Sequence, residues 1–217
     1  MPQPHPTAEL QSALDRWTHV LPKILGGIAA VLMAAAALRL AWIKYFPHPG
    51  DRLYYLAERF GLGEMNFVAW FSSCMLTLCC IISAIIATII SQQKGHDVWR
   101  WWSASVLLLA MSADETIALH EMLGDNIAHL VPFDGFFFYA WVVAAIPILV
   151  VIFITLGPIL LRLPRRLAQR LLFASLVYFG GAVGIEMISA KLLEIFPDGG
   201  VERFLCLMLE ESMEMTG

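Results

Sequence analysis

Between Phe136 and Leu161 the sequence contains no acidic or basic residue. The hydrocarbon core of a bilayer needs about 20 apolar residues in helical form, so a run of this kind predicts a membrane-spanning helix. Four further stretches meet the same requirement. They run from about Leu21 to Ile43, from Phe67 to Ile90, from Val98 to an end between Leu123 and Leu130, and from the basic link Arg162 to Arg170 as far as Phe196. A sixth apolar helix starts at Val201, and Gly217 comes before the length of a full span is reached. It is expected either to enter the bilayer partway or to be cut short. With 59% hydrophobic and 15% charged residues in 217, a soluble globular domain is excluded as the expectation. The predicted fold is all-α: a polytopic integral membrane helical bundle of about five full transmembrane helices plus the sixth C-terminal one. Residues 1–20 form a polar segment with Leu10, Leu14, Trp17 and Val20 spaced for an amphipathic surface helix, and residues 21–217 form a single transmembrane domain.

Local features refine this frame. Gly26, Ala30, Ala34 and Ala37 place small residues along one face of the first span, a packing surface for a neighbouring helix. The connection to the second span holds Pro47, Pro49 and Gly50, then Leu53, Tyr54, Leu56, Ala57 and Phe60 in an amphipathic turn suited to the bilayer surface. Ser72, Ser73, Thr77, Ser83 and Thr88 on the second span are expected to satisfy their hydroxyls on carbonyls of their own helix. Gly180 and Gly184 form a small-xxx-small pattern directly before Glu186, where another helix is expected to approach. Cys74, Cys79, Cys80 and Cys206 lack metal-type spacing and read as small apolar residues.

Cytoplasmic loops carry the excess of Lys and Arg. With the N-terminus inside, that side holds Arg16, Lys23, Lys94, Arg100, Arg162, Arg165, Arg166 and Arg170, against Lys44, Arg52, Arg59 and Arg203 outside. A cytoplasmic N-terminus in a bacterial-type inner or plasma membrane is therefore predicted. Trp99, Trp101 and Trp102 mark the inner interface, and Trp42, Tyr45, Phe67, Trp70, Tyr139 and Trp141 the outer one. The lipid bilayer is the expected partner, with other helices docking on the small-residue faces. A net charge of -4 and the absence of a basic stripe exclude nucleic acid.

Against this apolar background the segment Ser112-Ala113-Asp114-Glu115-Thr116-Ile117-Ala118-Leu119-His120-Glu121 stands out. A charged group at the centre of a membrane helix costs roughly 2.5–3.5 kcal/mol on insertion scales, so such residues usually face a partner, a cavity or an ion. More acids follow at Glu186 and at Glu210, Glu211 and Glu214. Asp114 is nine residues before Leu123, Glu186 ten before Phe196, and Glu210 nine after Val201. Each is thus placed roughly 13–15 Å below the outer surface, close to the bilayer midplane. On one continuous third helix, Asp114 and Glu121 line the interior with His120 on their shoulder, while Glu115 turns toward a neighbouring helix.

Carboxylates with one imidazole are ligands for iron, manganese or zinc, and all-oxygen ligation suits magnesium or calcium. The expected reading is a metal-binding membrane protein, one form of which is a metal-dependent membrane enzyme. Asp114, Glu115, His120, Glu121, Glu186, Glu210, Glu211 and Glu214 are its candidate ligands. The alternatives are a proton- or cation-coupled transporter or channel component using the same acids as a relay, and a non-catalytic membrane subunit with a structural polar network. The acids lie in the second half of the chain and no internal repeat accompanies them, which favours the metal site.

Overall fold

The computed structural model of the protein describes residues 6–45, 52–63, 65–131, 133–196 and 201–217. Pro47, Pro49 and Gly50, the side chains of Leu10, Leu14 and Leu53, and the turn Pro197-Asp198-Gly199-Gly200 lie outside the described residues. The described chain is all-helical, without strands. Its α-helices are α1 (Pro6–Tyr45), α2 (Arg52–Glu58), α3 (Phe67–Gln92), α4 (Val98–Ile117), α5 (Leu119–Leu130), α6 (Trp141–Arg162), α7 (Arg165–Phe179), α8 (Glu186–Ile195) and α9 (Val201–Thr216). A π-helical turn, Gly180–Ile185, joins α7 to α8. Among the described residues four helical stretches are long and apolar enough to cross a membrane: Asp15–Leu40, Phe67–Gln92, Trp141–Arg162 and Arg165–Ile195. The pair α4 and α5 makes a fifth if it counts as one bent span.

The molecule is inverted relative to a soluble protein. Its buried apolar residues are mostly alanines such as Ala29, Ala36, Ala69, Ala87, Ala140 and Ala190, and its buried polar set includes Ser72, Ser83, Ser105, Ser112 and Ser189. Large apolar side chains point outward, with Phe153, Ile154, Val31 and Leu38 each about 70% exposed. Helices in lipid gain little by burying leucine, so small residues that permit close approach occupy the contacts. The outward apolar belt is far larger than the patches soluble monomers tolerate.

Three expectations about packing are corrected. Gly26, Ala30, Ala34 and Ala37 are exposed, and α1 instead buries Ala29 and Ala36, which are two turns apart on the adjacent face. Arg39 of α1 pairs with Glu58, the last residue of α2, at 2.8 Å, tying the two helices together. Second, Ser73 and Thr77 do not turn back on α3. Ser73 donates to the Ser112 carbonyl at 2.8 Å, the Thr77 and Ser112 hydroxyls meet at 2.8 Å, and Ser112 bonds the Ser73 carbonyl at 2.9 Å, so hydroxyls lace α3 to α4. Ser105 extends the seam to the Cys80 carbonyl at 3.1 Å, while Thr88 does bond its own helix at Ala84. Cross-helix bonds win because the two backbones already lie close enough for a short side chain to bridge them.

The third difference lies in the span carrying the segment Ser112 to Glu121. It is not one straight helix: α4 and α5 meet at 76°, broken at Ala118, whose backbone is left-handed with φ 58 and ψ 45. Neither proline nor glycine marks the break. Asp114 bridges it instead, through the His120 backbone N–H.

α9 lies inside the bundle, against α1, α3, α7, α8 and the π turn. Gly181 is the close-approach glycine there. A Cβ at Gly181 would lie 2.8 Å from the Met213 Cβ and 3.0 Å from the Glu210 carbonyl oxygen. Of the expected pair, Gly180 faces the Met213 side-chain terminus, and Gly184 has nothing within 4 Å. The wider π turn shifts the helix face by about one residue, which moves the contact from the predicted pattern to Gly181.

Candidate functional site

The site is assembled where α9 crosses the end of α4 and the π turn. Carboxylate oxygens of Glu115, Glu211 and Glu214 all lie within 4.8 Å of one another. Glu211 and Glu214 are three apart on α9 and share a face; Glu115 reaches them from α4. Glu211 is 6% exposed, the only acid in the fully buried set of described residues. One of its oxygens accepts the Gly63 backbone N–H at 2.7 Å. That donor is held by a built loop. Gly63 sits at φ +94, its carbonyl accepts from the Asn66 amide at 2.6 Å, and the Asn66 Oδ1 caps α3 by accepting from Val68 and Ala69.

Asp114 does different work. Its Oδ1 accepts the His120 backbone N–H at 2.7 Å, and its Oδ2 meets the His120 Nδ1 at 2.9 Å. A carboxylate on the last turn of α4 thereby supplies an acceptor to the first turn of α5, whose N–H groups have no partner within their own helix. The sharp angle becomes affordable because Asp114 satisfies both the backbone and the imidazole. The break also undoes the rotational placement expected for a continuous helix: Glu121, predicted to line the interior with Asp114, is exposed.

A second polar file runs alongside. The His120 ring packs on Trp141 with centroids 4.9 Å apart, and the Trp141 indole donates to the Glu186 carboxylate at 2.9 Å. Trp141 therefore faces the acids, where its position in the sequence suggested an interfacial belt. Glu210 lies within electrostatic reach of Glu186, and its Oε2 is buried without a hydrogen-bond partner among the described residues. Glu214 lies within electrostatic reach of Glu115, Glu211, Glu210 and Glu186. Acids from α4, α8 and α9 thus occupy one neighbourhood, with Glu115, Glu211 and Glu214 at its tightest point.

Of the cations near these segments, Lys191 is taken by Glu194 at 2.7 Å, and Arg203 engages Tyr139. Glu214 and Glu210 make no ion pair with Lys or Arg among the described residues. Oxygens bound to one ion at about 2.0–2.6 Å stand at most about 4–5 Å apart, so the three-carboxylate geometry accommodates one hard divalent cation. Several residues in or beside the site carry no sequence signal that separates them from packing. Gly63 acts through its backbone, Gly181 through its lack of a side chain, and Tyr178, near Glu214 and Glu115, is one aromatic among many.

Residues 25–217 match the family model described as "Domain of unknown function (DUF8692)", and the chain belongs to that family. No curated protein and no solved structure matches it.

Proposed function

We propose that this member of the family is a multi-pass membrane protein that holds a divalent cation between Glu115, Glu211 and Glu214. The observation that carries the proposal is the convergence of three carboxylates from two helices within 4.8 Å, one of them fully buried. Three carboxylates concentrated in a low-dielectric setting repel one another strongly, and a bound cation offsets that repulsion. An all-oxygen set favours manganese, magnesium or calcium, with iron next and zinc least suited, since no imidazole belongs to the cluster. Asp114 and His120 shape the α4–α5 break beside it, and Glu186 and Glu210 line its other flank. Metal-assisted chemistry on a membrane substrate is the function such a site serves best.

Element-specific mass spectrometry on protein purified without chelators tests this. A stoichiometric divalent metal is expected, falling at least tenfold in Glu211→Gln and Glu214→Gln and unchanged in Glu121→Gln, which lies outside the cluster. Equal metal content in all four proteins would sink the proposal.

One observation favours a second reading. His120, paired with Asp114, and the acids Glu186, Glu210 and Glu214 bring titratable groups of four helices into one neighbourhood, the set a proton relay draws on, while Trp141 only donates to Glu186. Metal-free protein whose proton flux in vesicles is lost in His120→Phe would select the relay.

The same proposal places the N-terminus on the cytoplasmic face of a bacterial-type inner or plasma membrane. Asp134 and Gln169 are both exposed, the first before the start of α6 and the second in the first turns of α7, beyond its other end. A cysteine at Asp134 is expected to react with impermeant maleimide on intact cells, and one at Gln169 only after lysis; the reverse pattern would invert the topology.

A further inference from the structure

α6 and α7 diverge where the chain turns between them, leaving a groove of about 680 Å³. Its walls are apolar: Phe153, Ile154, Pro158 and Leu161 from α6, with Ala168 and Leu172 from α7. Its polar members, Arg165 and Gln169, are one turn apart in the first turns of α7. From Phe153 to the end of α6 is nine residues, roughly 13 Å of helix, close to the depth of one hydrocarbon leaflet. The groove is thus polar at the membrane surface and apolar below it, and its volume is that of an ordinary ligand site of about 300–1,000 Å³.

Charge at the mouth is unbalanced. Arg162 and Arg100 both bind Asp97, which ties the α3–α4 turn to the end of α6 and uses that carboxylate up. Arg165, Arg166 and Arg170 make no ion pair with an acid among the described residues. Arg165 therefore stands at the opening with no protein counter-charge, above apolar walls, and Arg166 and Arg170 follow it in the first turns of the same helix.

We propose that this groove is a binding site for an anionic glycerophospholipid of the leaflet on the Arg162–Arg170 side, with an acyl chain between α6 and α7 and the phosphate at Arg165. The inference is separate from the carboxylate cluster and rests on the reading of α6 and α7 as membrane-embedded. Arginines fit a phosphate with paired donors, and basic pockets between membrane helices take anionic head groups in preference to zwitterionic ones. A water-soluble phosphate is not the occupant, because it would leave the apolar walls uncovered.

The test is native mass spectrometry of the full chain released from vesicles of equal phosphatidylglycerol and phosphatidylcholine. Retained lipid is expected to favour phosphatidylglycerol by about fivefold or more, the factor one basic residue at an anionic surface supplies. Arg165→Gln should remove that preference without removing lipid altogether. Ala168→Trp, which fills the groove and leaves the arginines in place, should remove the tightly retained lipid. Equal retention of the two lipids by the native chain, or retention unchanged in Ala168→Trp, would overturn the site. So would displacement of the lipid by glycerol phosphate at millimolar concentration, since the head group alone would then account for binding. A chain that does not partition into these vesicles would overturn the membrane reading and this site together, whereas equal retention of both lipids overturns this site alone.

Discussion

Gly181→Leu is expected to destabilise the protein by about 3 kcal/mol, and Gly184→Leu, three residues on, by no more than about 0.5 kcal/mol. The two glycines lie in the same π turn, yet they face different surroundings. At Gly181 the first added carbon already meets the Met213 Cβ at 2.8 Å, the Glu210 carbonyl oxygen at 3.0 Å and the Glu214 Cγ at 3.5 Å. A backbone oxygen cannot swing aside as a side-chain terminus can, so α9 itself must move. At Gly184 nothing lies within 4 Å. Displacing α9 also carries Glu211 and Glu214 away from Glu115, so Gly181→Leu should lose bound metal as well as stability. Thermal unfolding in detergent, with metal content measured on the same samples, checks both effects. Similar behaviour of the two variants would show that α9 does not pack on Gly181.

Opposite signs are expected from two changes at the α4–α5 break. Asp114→Ala removes the acceptor for the His120 N–H and ring, leaving first-turn donors of α5 without a partner in apolar surroundings. Loss of this capping acceptor from a half-buried donor amounts to about 1–2 kcal/mol. Ala118→Gly should instead stabilise by about 1 kcal/mol, because an alanine at φ 58 carries the left-handed penalty that glycine lacks. A continuous helix reverses both expectations. Glycine in a helix interior costs about 1 kcal/mol, and removing a lone carboxylate from a membrane helix relieves its burial. Denaturant or steric-trap unfolding of the two single variants in bicelles therefore decides between a broken and a straight span by sign alone.

The apolar segments, their approximate ends and their helical character were legible in the sequence, because each depends on composition over a window of about twenty residues. The run from Phe136 to Leu161 reads as a span from its own residues, and α6 covers nearly the same range. That the acids are exceptional was equally legible, since the cost of charge in hydrocarbon belongs to the residue and its immediate context. Which acids meet was decided elsewhere. Facing on a helix is a cumulative angle, so the left-handed residue at Ala118 and the π turn at Gly180–Ile185 each reset it for everything beyond. That is why Glu121 turns outward, whereas Glu115, upstream of both, faces a neighbouring helix as its place on α4 directs and there meets Glu211 and Glu214. No proline or glycine announces the break at Ala118. Its cause is the Asp114 carboxylate, upstream of the break, finding the backbone donor of His120 beyond it, a contact that exists only once the chain has bent. In the same way Gly63 supplies a donor to an acid 148 residues away, through backbone atoms every residue possesses. Local hydrophobicity determined the helices; only their packing, where small residues allow approach and single hydrogen bonds set angles, determined the site.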